Sequence, residues 1–201
     1  SVGSLIMLII ASALSTWIAY FFSQQRLLPG FTAPFILAIW GMLGVCSWFI
    51  PDLLLVSDTV IDITQNINYF RAFCLGIGQV MFQENTVLTG LFFLIGILIN
   101  SRKASLYTIL GALLPIPLAI LLEVDATDLN AGLMGYNGVL CAIALGGTGW
   151  ESGVWAGCSV LLSTVLQILG MSLGITTLTA PFVISVWIII MIQKVIRTQN
   201  N

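Results

Sequence analysis

Histidine is absent from this 201-residue chain, and charge is scarce: Asp, Glu, Lys and Arg together make up 7% of it. Without an imidazole the chain lacks the commonest proton relay and metal ligand, which argues against metal-assisted hydrolysis and His-based acid–base catalysis. Paired cysteine motifs are missing too. Cys46, Cys74, Cys141 and Cys158 lie in or beside apolar stretches with no CxxC spacing, and read as small buried hydrophobes. No nucleophile–base motif is present and no cofactor is expected, so the chain does not read as an enzyme. A net charge of −2 is too small to imply nucleic acid or an acidic partner. Soluble domains carry about 25% charged residues. A chain that is 59% hydrophobic with a mean hydropathy of +1.08 is instead an all-α, multi-pass membrane protein, with lipid as its surroundings.

Apolar runs give the candidate crossings. A bilayer needs about 20 apolar helical residues, and the runs that approach this are 4–22, 33–50, 86–101, 105–122, 153–174 and 179–196. The first is full length and has no small-residue cleavage site, so it does not read as a signal peptide. Segment 133–148 is apolar but rich in glycine, and 76–85 is too short and too polar to span alone. Interrupted half-length segments of this kind suit re-entrant elements, which membranes tolerate only where they line protein or water.

Charge placement orients the chain. Arg26, Arg102, Lys103, Lys194 and Arg197 fall in one set of loops, whereas Asp52, Asp58, Asp62, Glu123, Asp125 and Asp128 fall in the other. The positive-inside tendency puts the first set in the cytoplasm. Arg71 does not fit this division.

One motif occurs twice. Leu28-Pro-Gly-Phe-Thr-Ala-Pro-Phe35 returns as Ile175-Thr-Thr-Leu-Thr-Ala-Pro-Phe182, with Thr32 and Thr179 separated by 147 positions (179 − 32). Each copy opens an apolar helix, where proline suits the first turn and threonine can cap it or offer its hydroxyl to a solute. Counting 133–150 as a crossing leaves five crossings between the two helices, an odd number, so they are expected to run in opposite directions as parts of inverted repeats.

Two polar stretches interrupt the apolar sequence. In Gly76-Ile-Gly-Gln-Val-Met-Phe-Gln-Glu-Asn85, the Gln79 amide should face a partner or a cavity, with Phe82 three residues on along the same helical face. Read alone, Gln79 also suits an interfacial loop with its side chain in water, and Glu84 and Asn85 suit a loop or a structural hydrogen-bonding role. In Gly132-Leu-Met-Gly-Tyr-Asn-Gly-Val-Leu140, the glycines permit close packing, Tyr136 and Leu140 share a face, and Asn137 suits backbone groups freed where a helix breaks. A lining of amides, hydroxyls and apolar walls fits a small, neutral, planar solute better than an ion, which needs charged rings or a carbonyl cage.

At these motifs the chain resembles the urea transporter family, in the manner of a bacterial-type urea channel. The matching stretches are Leu28–Phe35, Gly76–Phe82, the Gly132–Gly138 block, Gly146-Gly147 and Thr179–Phe182. The resemblance implies an inverted-repeat helical bundle with short re-entrant helices around a central pore, assembled as a homotrimer in the cell membrane. It implies passive, channel-like passage of urea. Gln79 resembles a residue that hydrogen-bonds urea near one end of the pore. Val80, Phe82, Tyr136 and Leu140 resemble residues of the narrow slot, and Thr32 and Thr179 the two threonines near its centre. Ile175-Thr176 stands where Leu-Pro is usual.

On this reading, 1–50 is the C-terminal part of a first repeat, 51–75 a linker and 76–201 the second repeat. A repeat length of 147 puts the partners of Tyr136 and Gln79 before Ser1, at −11 (136 − 147) and −68 (79 − 147), so the chain is expected to be N-terminally incomplete. The alternatives are a channel for another small neutral solute, such as a short-chain amide, water or ammonia, and an inactive truncated homologue.

Overall fold

The computed structural model describes residues 2–25, 28–51, 66–83 and 86–199. Arg26, Asp52, Asp58, Asp62, Glu84 and Asn85 lie outside the described residues. Among those described, the regular structure is helical: α1 (Val2–Gln24), α2 (Ala33–Phe49), α3 (Tyr69–Gly78), α4 (Val87–Asn100), α5 (Arg102–Leu113), α6 (Pro115–Leu121), α7 (Ala126–Asn130), α8 (Gly135–Leu145), α9 (Trp150–Ser172) and α10 (Ala180–Gln199). A 3-10 turn, Gln79–Met81, continues α3. The fold is that of an all-α membrane protein.

Local chemistry sets several boundaries. The Asn68 side chain accepts from the backbone N–H of Arg71 at 3.0 Å and starts α3, and Ser101 does the same for Ala104 at 3.2 Å at the start of α5. Between α5 and α6, Pro115 has no N–H to give and its ring crowds the carbonyl four residues back, which interrupts the hydrogen-bond ladder at Leu114 inside the expected 105–122 crossing. The backbone there stays right-handed, and Arg102–Leu121 runs on as one span.

Among the described residues, four spans combine the length and apolarity needed to cross a bilayer: Leu5–Gln24, Arg102–Leu121, Trp150–Ser172 and Ala180–Gln199. The crossing expected at 86–101 falls short. Its helix, α4, has 14 residues, or about 21 Å of rise against a hydrocarbon core of roughly 30 Å. The 33–50 run gives a helix of 17 residues. The glycine-rich 133–148 segment becomes α8, an 11-residue half-length helix.

Helix α8 sits at the centre, packed against α3, α5, α9 and α10. Glycine makes this possible. A Cβ on Gly135 would lie 2.8 Å from the Gly76 Cα, and one on Gly111 would lie 2.6 Å from the Val139 Cα, so α3 and α5 both approach α8 backbone to backbone. One apolar cluster joins Ala33 and Ile36 of α2 to Cys141, Ala142, Val160 and Phe182 of α8, α9 and α10. By contrast, α1 exposes Leu5, Leu8, Ile9, Trp17 and Phe21, an apolar surface of the kind lipid or another protein covers.

Candidate functional site

The two repeated motifs meet. The Thr32 and Thr179 hydroxyls are 2.8 Å apart, and either can be the donor. Thr32 is not spent as the expected cap: it precedes α2 without a side-chain capping bond. The backbone is the same in both copies. The residue before each threonine is left-handed, Phe31 at φ 44° and Leu178 at φ 49°. Ala33 N–H donates to Gly30 O at 2.9 Å and Ala180 N–H to Thr177 O at 3.1 Å, closing matching turns.

The contacts between the copies are also reciprocal. The Trp40 indole donates to Thr176 O, and the Trp187 indole donates to Pro29 O, both at 2.8 Å. Trp40 and Trp187 are again 147 positions apart (187 − 40), as are Pro29 and Thr176 (176 − 29). Each copy therefore holds the other through the same pair of positions with roles exchanged.

Helix α8 braces the second copy. The Tyr136 hydroxyl donates to Leu178 O at 2.5 Å. Asn137, with no exposed surface, donates to Leu178 O at 3.3 Å and to Gln167 Oε1 at 3.1 Å, while its own Oδ1 accepts from Phe182 N–H at 3.2 Å. Its role is the one read from the sequence: it satisfies backbone groups left free where α10 begins at Ala180. A non-glycine residue held at positive φ is strained, and here the carbonyl of Leu178, one such residue, is tied down by two side chains.

Gln79 is buried, with 7% of its surface exposed, and its amide donates to Ala131 O at 3.1 Å. The water-facing loop reading is therefore corrected: the side chain is folded back against the segment that leads into α8. The shared helical face of Gln79 and Phe82 is corrected as well. Helix α3 ends at Gly78, the 3-10 turn tightens the chain, and Phe82 follows in a left-handed conformation at φ 54°. That turn leaves Phe82 59% exposed and puts its ring 6.1 Å from that of Phe35, while Phe31 sits 5.2 Å from Phe182. Phe35 and Phe182 are equivalent in the two copies of the motif, and each has an aromatic partner. Val80 packs against Ile77, Ala112 and Val139, and Leu140 against the cluster that holds Ala33, Ile36 and Phe182.

Thr32, Thr179, Tyr136 and Leu140 thus share one neighbourhood. Gln79, Val80 and Phe82 form a second, linked to the first through the Phe35–Phe82 contact and through α8.

The sequence of this assembly matches the urea transporter (UT) family over residues 1–194. The chain belongs to the urea transporter family. Among curated relatives, it is 32% identical to "Urea transporter 1" of Rattus norvegicus over 128 residues, which are 60% of the chain and 33% of the relative. The proteins of the same name from Ovis aries and Mus musculus are 30% and 32% identical over the same shares. The chain spans about a third of the length of these relatives. Its family is one of transporters.

In this urea transporter family member, one set of polar groups escaped sequence reasoning. Ser159, Ser163, Thr164 and Gln167 of α9 are all buried, facing α8. Their spacing of three and four within an apolar span was a usable signal, because polar groups there turn inward. The reciprocal tryptophans could have been found by extending the repeat comparison five residues beyond Phe35 and Phe182.

Proposed function

We propose that this chain contributes to a passive, channel-like pathway for urea across the cell membrane, with two inverted repeats meeting at Thr32 and Thr179 and three protomers forming the assembly. In this reading, residues 1–50 close a first repeat, 51–75 link, and 76–201 form a second. The observation that carries it is the pair of hydroxyls at 2.8 Å, flanked by matching left-handed residues and by phenylalanine rings, in a member of a urea transporter family. Hydroxyl oxygens accept the N–H groups of urea while apolar walls flank its plane, replacing part of its hydration without holding it tightly. Gln79 and Phe82 serve one end of the pathway. Tyr136, Leu140 and Val80 shape its walls.

Stopped-flow measurements on proteoliposomes of the full-length protein test the reading, with urea, acetamide and ammonia as solutes. Urea permeability above that of empty liposomes, and above that of acetamide, supports it. Permeability equal to empty liposomes overturns it, and a preference for another solute reassigns the pathway. Thr179→Val keeps the side-chain volume and removes the hydroxyl, so urea flux is expected to fall roughly tenfold, the worth of about 1.4 kcal/mol, at unchanged membrane abundance. Gln79→Leu removes the bond to Ala131 O and is expected to lower urea flux several-fold in the same assay.

A further inference from the structure

Arg71 is the basic residue that falls outside the cytoplasmic set of loops, and the structure gives it a setting. Its Nε–H donates to Asn130 O at 3.2 Å. The Asn130 carboxamide in turn donates to Asn66 O at 3.0 Å and accepts from Asn68 N–H at 2.8 Å. The next carbonyl along the chain, Ala131 O, is the one that receives the Gln79 amide. Arg71 and Gln79 therefore grip two consecutive peptide groups from the two ends of α3.

These residues also border open space. A cavity of about 870 Å³ is lined by Asn66, Asn68, Arg71, Thr127, Asn130 and Ala131 among others. Arg71 itself is exposed, and among the described residues its side chain bonds through Nε alone. Asp128 of the neighbouring α7 and Asp125 just before that helix line a different hollow, with Leu122 and Met171. A guanidinium stays charged at any working pH. A fixed positive charge lays a barrier before any cation that approaches.

We propose that Arg71 is a specificity-determining and positioning residue at the mouth of the pathway. Through Nε it fixes the Asn130–Ala131 turn against which Gln79 is set, and through its charge it turns back cations that share the planar shape of urea. The proposal rests on the urea reading and adds to it the rejection of the charged analogue. Guanidinium ion is the fitting probe, since it matches urea in planarity and size and differs by one positive charge.

The test measures urea and guanidinium uptake side by side in proteoliposomes of the full-length protein and of two variants. Arg71→Gln removes the charge and keeps an amide donor, and the guanidinium-to-urea flux ratio is expected to rise on the order of tenfold. Arg71→Lys keeps the charge but loses the planar Nε donor, so its ratio is expected to stay at the wild-type value while urea flux falls. A merely structural residue would change both fluxes together and leave the ratio alone. An unchanged ratio in Arg71→Gln, with wild-type urea flux well above empty liposomes, overturns the proposal. Wild-type urea flux no greater than that of empty liposomes overturns the urea reading and this proposal with it.

Discussion

Asn137→Leu is expected to cost the folded protein about 2–5 kcal/mol, seen as a large drop in thermal stability in detergent and in the yield of monodisperse protein. Asn137 makes three hydrogen bonds at a fully buried position, to Gln167 Oε1, Leu178 O and Phe182 N–H. Leucine has the same branched outline with bulkier methyl groups, so some overpacking adds to the cost. The larger change is in satisfaction. Leu178 O keeps its bond from the Tyr136 hydroxyl, but the Phe182 N–H and the Gln167 oxygen lose a partner in a place water does not reach. Each buried group left unpaired costs about 1–3 kcal/mol. Asn137→Asp separates the two losses, because it retains an acceptor for Phe182 and loses the donors. Wild-type thermal stability in Asn137→Leu would show that the bonds around Leu178 do not hold the start of α10.

Gly132→Val is expected to abolish the native fold, leaving no monodisperse peak by fluorescence-detected size exclusion. Gly132 has φ +78°, a conformation a β-branched residue rarely adopts. A Cβ there would also lie 2.5 Å from the Gly76 N, and a backbone atom inside a helix cannot step aside as a flexible side chain can. The strain of the left-handed backbone alone is about 1–2 kcal/mol, and the steric conflict adds to it by forcing α3 away from the turn that leads into α8. Gly132→Ala keeps the same conflict with a smaller side chain and is expected to survive at reduced yield. Equal yields of wild type and Gly132→Val would refute the close approach of α3 to this turn.

Legibility in the sequence followed the range of the forces involved. Apolar runs are local, so the long helices appear where hydropathy put them: expected at 4–22, 153–174 and 179–196, found at Val2–Gln24, Trp150–Ser172 and Ala180–Gln199. The Thr-Ala-Pro-Phe repeat led directly to a contact between residues 147 positions apart. Hydropathy could not reveal the interruption at Leu114 within the Arg102–Leu121 span, since prolines occur at bends and at helix starts alike. Nor could it reveal how α3 ends. Phe82 left the face it shares on paper with Gln79 because one left-handed residue redirects the chain, and no pattern in Gln79–Phe82 announces that turn. The partner of Gln79 came from Ala131, 52 residues away. Such pairings are set by tertiary packing, which spacing within a segment does not encode.

A bond between two like hydroxyls cannot be symmetric at any instant. If Thr32 donates to Thr179, the Thr179 proton is free to point elsewhere, and if Thr179 donates, the Thr32 proton is the free one. Rotating two light atoms exchanges these arrangements without moving a single heavy atom. The pair is thus a small two-position device, offering lone pairs from both oxygens and one uncommitted proton from whichever side is not engaged. A neighbour that needs an acceptor finds it in either state, and a neighbour that needs a donor can call it up from either residue at the cost of a torsion.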